Sequence, residues 1–420
     1  MTSPNRFDDL AQFAGTPRRR FYTGRNLDRV KSVADLRART HRLMPRFVLE
    51  YLEGGAEDEA TLARERQAYA EWRFMPRQLV DVSHRTLEGP ILGTPATMPL
   101  VVAPTGLNGL FCKGADIKLA EGATAAGVPF TQSTMSNERM EDVAKVKGLR
   151  HWWQLYVFGG DEIWQELLRR AEASGVEALV LTTNSQIYGD REWDNRTRYS
   201  QSLPSLSTTF DAALHPRWLT TTLAAAGGLP SFKNVIDFIP KDKRGLFESA
   251  FWIRKQMPTS LGWTDVEKIR QRWRKPFLIK GLLNLDDVRR AVDAGVDGVI
   301  LGTHGGRQAD WAVSALDLLP RARAIVRDRI QLMMSGGIRR GTDLLKALAL
   351  GADTVLAGRA PLYGLCAHGA EGVRKAMDLL HKEAIDDMGQ MGVAARADLT
   401  PALLVSTSRV AHPGGAIGGW

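Results

Sequence analysis

Beyond residue 95 the chain repeats one unit, a short apolar run followed by a stretch with apolar residues at helical spacing. The runs are Pro99–Pro104, Pro129–Ser133, Trp152–Tyr156, Ala178–Thr183, Pro276–Gly281, Gly298–Gly302, Ile330–Ser335 and Thr354–Arg359. Runs this short and apolar read as buried strands. Amphipathic stretches such as Asp161–Ser174, Leu285–Ala294 and Thr342–Leu350 read as the helices between them. Eight strand-then-helix units predict an α/β chain closed into a (β/α)8 TIM barrel, with active-site groups at the C-terminal strand ends. A doubly wound open sheet is the competing architecture. No glycine-rich dinucleotide fingerprint follows the first strand, which counts against it.

One interval breaks the rhythm. About 90 residues separate Thr183 from Pro276, too long for a structureless connection inside a compact domain. The insertion at about 201–262 mixes apolar and basic residues, with Arg217, Trp218, Lys233, Lys241, Lys243 and Arg244 beside apolar neighbours. It reads either as an active-site lid or membrane-surface patch, or as an ordinary excursion packed on the barrel, and in each case as an appendage to it. Residues 1–94 are expected to form a helical extension packed on the barrel, which itself spans 95–395. Residues 396–420 form a C-terminal tail. In the extension, Leu43–Glu53 is predicted as one helix that carries Tyr51 and is capped by Gly54-Gly55.

Bulk properties narrow the classes. Of the 420 residues, 44% are hydrophobic, enough for a sizeable core. The two cysteines, Cys112 and Cys366, have no metal-ligand spacing, which argues for a reducing compartment with neither disulfide framework nor metal site. Residues 1–20 lack the apolar core of a signal peptide, and no run is long enough to cross a membrane. The expected location is cytoplasmic, with the inner membrane face as a peripheral site. The net charge of +9 fits either plain solubility or an affinity for anionic membrane or anionic substrates. No basic-aromatic module points to nucleic acid.

The chemistry concentrates at the strand ends. After strand six comes Gly302-Thr303-His304-Gly305-Gly306-Arg307-Gln308. A His beside an Arg sets a base that works near neutral pH next to a fork that grips a carboxylate. The glycines are expected to leave room for a flat ring. The other strands end in Pro104-Thr105-Gly106, Ser133-Thr134, Gln154-Leu155-Tyr156, Thr182-Thr183-Asn184, Lys280-Gly281, Ser335-Gly336-Gly337-Ile338-Arg339 and Gly358-Arg359, with Arg191 following strand four. Closing the barrel would bring all of these to one mouth.

This pattern resembles the FMN-dependent 2-hydroxy acid dehydrogenase and oxidase family, which includes glycolate oxidase, lactate dehydrogenases and oxidases, and mandelate dehydrogenase. The resemblance runs from about residue 27 to 395. It is densest in Tyr51–Glu59, Pro104–Gly109, Lys280–Leu283, His304–Gln308 and Lys346–Gly351. The first two stretches look most like membrane-associated mandelate dehydrogenase. The resemblance implies FMN, with Pro104, Thr105 and Gly106 against the flavin and Gly106 leaving space for it. Ser133, Gln154 and Thr182 would bond the ring's polar edge, and Lys280 would face the N1–C2 carbonyl side. Ser335 and Gly337 would flank the ribityl chain, and Arg339, Gly358 and Arg359 would hold the phosphate. One phosphate clamp without an adenine fingerprint fits FMN better than FAD. Tyr51, Arg191 and Arg307 would bind a small carboxylate substrate, Tyr156 would touch it, and His304 would take the hydroxyl proton. A homo-oligomer, a tetramer, is also implied.

Three positions depart from the family pattern. Asn184 stands where the family usually has an Asp paired with the catalytic His. Losing that charge-assisted bond costs roughly 1.5–3 kcal/mol. Gly302-Thr303 replaces the usual Ser-Asn, and Ser335 replaces an Asp. The expected function is oxidation of a 2-hydroxy acid to its 2-oxo product. The three departures keep open an FMN enzyme of another reaction class, an isomerase or oxidative decarboxylase. Neutral drift with water filling the gaps is the third account of them.

Overall fold

The computed structural model of the chain describes residues 20–197 and 205–407. The ends of the predicted extension and tail, and residues 201–204 of the predicted insertion, lie outside the described residues. Eight parallel strands close into a barrel in sequence order: β1 Leu100–Val102, β2 Phe130–Ser133, β3 His151–Leu155, β4 Ala178–Thr182, β5 Phe277–Leu282, β6 Gly298–Leu301, β7 Gln331–Ser335 and β8 Thr354–Ala357. The final pairing, Val355 opposite Leu100, joins β8 to β1. Every predicted strand and the three predicted helices are present, with Asp161–Ala173, Leu285–Asp293 and Gly341–Ala349 as the helices.

Alternation within the strands builds the site. Side chains two apart share a face. Val101, Ala103, Trp152, Ala178, Val180, Leu278, Ile300, Met333 and Leu356 form one buried cluster inside the barrel. Their neighbours Leu100, Trp153, Leu179, Ile279, Val299 and Met334 belong to the second core, which includes the surrounding helices. One further step of two along the inward face brings Ser133, Gln154, Thr182, Lys280, Gly302, Ser335 and Gly358 to the C-terminal rim. The opposite end is closed by the hairpin of Gly89–Ile91 with Thr94–Ala96. Ile91 and Ala96 join the interior cluster, and Arg150, just before β3, bonds the carbonyls of Ile91, Thr94 and Pro95.

The extension differs from expectation at its first turn. Val33–Leu43 and Arg46–Glu53 are separate helices. Pro45 causes the break, because the residue before a proline is driven out of the helical region, and Met44 is extended (φ −100°, ψ 139°). Gly54 ends the second helix with φ −62° and ψ 154°, not in the left-handed region. Glycine is needed there because a Cβ would stand 2.6 Å from Glu50 O. Strand Leu404–Ser406 pairs antiparallel with Trp72–Phe74 and ties the tail to the extension.

The insertion is not a mere appendage. Trp218, Phe232, Val235, Ile239, Leu246 and Ile253 are part of the main core. Trp218, expected at a membrane surface, is buried edge-on to Phe47 and donates to Leu110 O at 2.7 Å. Arg244 is half-buried and bonds Ile239 O at 3.1 Å. Outward-facing apolar residues lie elsewhere in the segment, at Leu206 (89% exposed), Phe210 (68%) and Leu214 (64%). Among the described residues, no helix is long and apolar enough to cross a membrane.

Candidate active site

A cavity of about 570 Å3 opens at the C-terminal rim. Its lining includes Tyr51, Pro104, Thr105, Gly106, Ser133, Tyr156, Arg191, Lys280, His304, Arg307, Ser335, Gly337, Arg339, Gly358 and Arg359. Gln154, Thr182 and Asn184 stand behind that lining.

His304 occupies the loop after β6 with φ +59°, a left-handed backbone unusual for a side chain with a Cβ. Its Nε2 is 3.3 Å from Tyr156 Oη, on the cavity side, and its Nδ1 is 3.3 Å from Ser185 Oγ. Burial, reinforced by Lys280, Arg191 and Arg307, pushes its pKa well below the usual imidazole value. His304 is therefore neutral near pH 7 and ready to accept a proton.

The cationic side is organised by partners that sequence reading missed. Arg307 donates to Gly54 O at 2.6 Å and to Asp194 Oδ2 at 3.2 Å, with its guanidinium 5.0 Å from the Tyr51 ring centre. Burial and the nearby Arg191 lower Arg307 to about 10. Arg191 donates to Arg307 O at 3.3 Å and to Gln308 Oε1 at 3.2 Å. Tyr51 Oη donates to Gly106 O at 3.0 Å. Two guanidiniums, two phenols and one imidazole thus share a buried space suited to a carboxylate with an adjacent hydroxyl.

The opposite side carries the features expected of a flavin cradle. Ser133 Oγ donates to Gln154 Oε1 at 2.8 Å, leaving Gln154 Nε2 buried without a partner. Thr182 Oγ1 is likewise buried and unpartnered, one strand pairing from Lys280. Orphaned buried polar groups ask for a ligand, and these stand beside a cation where a ring's polar edge would lie. Burial lowers Lys280 to about 8, with Glu65 opposing the shift. Arg339 lines the cavity near Gly358, the N-cap of the helix Arg359–Met391, and together they make an anion site. The residues present therefore fit FMN.

Several expected roles change in detail. Arg359 lines the cavity beside Arg339 and Gly358 and also donates to Leu52 O, Gly305 O, Glu53 O and Gly54 O, so that it clasps the extension to the His304 loop. The absent Cβ of Gly106 is required by Met135, whose Cβ would be 2.9 Å away. Gly306 likewise makes room for Leu62 of the extension, at 2.7 Å, rather than for a ring. Asn184 does not meet His304. Its amide donates to Gly302 O at 3.0 Å, its Oδ1 is buried without a partner, and it lines a separate cavity of about 440 Å3. Phe232, Phe247 and Phe251 of the insertion, with Ala250 among them, and Tyr188 add an aromatic wall to the cavity. Nothing in their spacing marked that role.

The sequence pattern of FMN-dependent dehydrogenases matches residues 40–406. The chain belongs to the FMN-dependent dehydrogenase family. It is 39% identical over 371 residues to (S)-mandelate dehydrogenase of Pseudomonas putida, covering 88% of this chain and 92% of that protein. It is 35% identical over 377 residues to an L-lactate dehydrogenase of Stenotrophomonas maltophilia, covering 90% and 99%. Among solved structures, the monotopic membrane protein (S)-mandelate dehydrogenase superposes with a TM-score of 0.85 at 39% identity, covering 90% of this chain and 99% of that one. Mandelate oxidase with (S)-2-phenylpropionate superposes at 0.73 with 33% identity, covering 90% and 98%. As a family member the chain is an FMN-dependent oxidoreductase acting on the CH–OH group of 2-hydroxy acids. The isomerase or decarboxylase alternative is not favoured by any of these relatives.

Proposed function

We propose that this chain oxidises a 2-hydroxy acid with an aromatic side chain, using His304 as the base. One observation carries the reading: His304 Nε2 meets Tyr156 Oη at 3.3 Å in a cavity also lined by Arg307, Arg191 and an aromatic wall. The substrate carboxylate sits between Arg307 and Tyr51, with Arg191 as a second cation. The rigid Arg fork fixes which face of C2 is presented. Tyr156 and His304 hold the 2-hydroxyl, and neutral Nε2 takes its proton. The imidazolium so formed stays beside Ser185 and loses its proton after turnover. FMN, when bound, would accept the two electrons released at C2 together with the C2 hydrogen, so that the substrate loses both hydrogens and becomes the 2-oxo acid. Lys280 places positive charge where negative charge collects during that transfer. Phe247 and Phe251 cover the side chain of the substrate and exclude water.

The wall also supports the substrate class. A phenyl ring buries far more apolar surface against Phe247, Phe251 and Tyr188 than a methyl group does. The (S)-mandelate dehydrogenase relative extends the reading to a peripheral membrane site. The exposed Leu206, Phe210 and Leu214 with Arg217 would lie on an anionic cytoplasmic face. The family resemblance adds a homotetramer. Anaerobic mixing with a panel of 2-hydroxy acids tests the function. Flavin bleaching should be at least about tenfold more efficient with (S)-mandelate than with L-lactate. Equal efficiency removes the aromatic preference, and no bleaching with any acid removes the reading itself.

A further inference from the structure

The helix Ala60–Ala70 belongs to the N-terminal extension, yet it sends a carboxylate into the rim of the barrel. Glu65 is only 3% exposed. Its Oε1 accepts from Thr303 Oγ1 at 2.8 Å, and Thr303 Oγ1 accepts from Gly306 N at 3.0 Å. Thr303 and Gly306 bracket a left-handed segment, with φ of +59° at His304, +71° at Gly305 and +72° at Gly306. At His304, which carries a Cβ, such a backbone persists only where its surroundings hold it. The carboxylate's other oxygen lies against the β7 turn, where a Cβ on Gly336 would stand 1.8 Å from Glu65 Oε2. Strand β7 itself ends in Ser335 and brings no carboxylate. The groups facing Glu65 come from every neighbouring element: Lys280 from β5, Arg359 after β8, Asp317 and the Ala315 N–H from the Ala315–Val326 helix, and Tyr69 from its own helix.

We propose that Glu65 is a positioning residue of the active site. Through Thr303 it fixes the loop that carries His304, and from behind Gly336 its carboxyl group sets the charge balance at Lys280. The proposal rests on the reading of His304 as base and Lys280 as the flavin's cationic neighbour. Burial raises the Glu65 carboxyl to about 7 and lowers Lys280 to about 8. Below about 7, Glu65 is neutral and the positive charge of Lys280 is unopposed. Above it, a carboxylate forms and offsets that charge until Lys280 itself loses its proton at about 8. Negative charge on a bound, reduced flavin is therefore favoured on the acid side of this titration and disfavoured on the alkaline side.

The test reads the flavin without any substrate. The midpoint potential of the holoenzyme is measured by chemical reduction from about pH 6 to about pH 9. Wild type should show a change of slope near neutrality. Glu65→Gln keeps an acceptor for Thr303 but cannot ionise, so it should bind FMN, lose the change of slope at about 7 while keeping the later one that comes from Lys280, and hold a more positive potential only while Lys280 remains protonated. Thr303→Val should keep the change of slope while slowing substrate-driven bleaching about tenfold. A wild-type profile with constant slope, or an unchanged one in Glu65→Gln, overturns the assignment at Lys280, whatever the substrate proves to be. Unaltered bleaching in Thr303→Val overturns the link to His304. If Glu65→Gln does not fold, Glu65→Asp takes its place in the potential measurement, and the Thr303→Val rate decides the link to His304.

Discussion

Ser185 Oγ stands 3.3 Å from Nδ1 of His304, while the amide of Asn184, one residue earlier, donates to Gly302 O at 3.0 Å. The second imidazole nitrogen therefore meets a neutral hydroxyl. A hydroxyl fixes the ring's orientation and tautomer but stabilises imidazolium less than a carboxylate does.

Ser185→Ala removes that orienting contact and leaves the cavity lining otherwise intact. Losing one neutral hydrogen bond of about 0.5–1.5 kcal/mol should slow substrate-driven bleaching by about 2- to 10-fold. FMN content should not change. Anaerobic stopped-flow measurements on the variant check both values, and a wild-type rate would remove Ser185 from the site.

Asn184→Asp acts in two ways. It removes the donor to Gly302 O and buries a charge against that carbonyl, which should cost about 1–3 kcal/mol of stability in a denaturant titration. It also adds a negative charge one residue before Ser185, the neighbour of an imidazole whose pKa is depressed by burial and by cations. The base is active only when neutral, so activity is lost as pH falls through that pKa. Raising the pKa moves the acid limb of the pH–rate profile to higher pH. An acid limb that stays in place would mean that residue 184 does not sense His304.

Arg307→Lys substitutes a point charge for a fork that bonds Gly54 O and Asp194. KM for the hydroxy acid should rise by about tenfold or more, with a smaller fall in kcat. A pure kcat effect would place the carboxylate elsewhere.

Much of this was legible in the residues. Apolar runs such as Ala178–Thr182 announced the strands, and the step of two from Leu278 to Lys280 already placed the lysine inside the rim. What escaped was contact between distant segments. Asp194 and Glu65 are ordinary charged residues on helices until folding sets one on Arg307 and the other on Thr303. The Leu43–Glu53 helix was read through Pro45 because its apolar spacing continues across the break. The insertion's aromatic residues carry no period that separates a cavity wall from a surface patch. Trp218 was assigned to the surface because its partner, Leu110 O, lies 108 positions away.

The exposed face of the insertion makes a separate prediction. Leu206→Ser, Phe210→Ser and Leu214→Ser combined should leave folding and FMN content unaltered, because these side chains are outside the core. Co-sedimentation with anionic liposomes should fall by about tenfold, as the loss of three apolar anchors requires. Undiminished sedimentation would remove this face from the membrane contact.

The most direct test of the account is anaerobic mixing of His304→Ala holoenzyme with (S)-mandelate. The variant should keep FMN, because Lys280, Arg339 and Gly358 are untouched. Its flavin should bleach at least about a hundredfold more slowly than wild type, the usual loss when a positioned base is removed. Bleaching at the wild-type rate, with FMN bound, would contradict the assignment of His304 as the base.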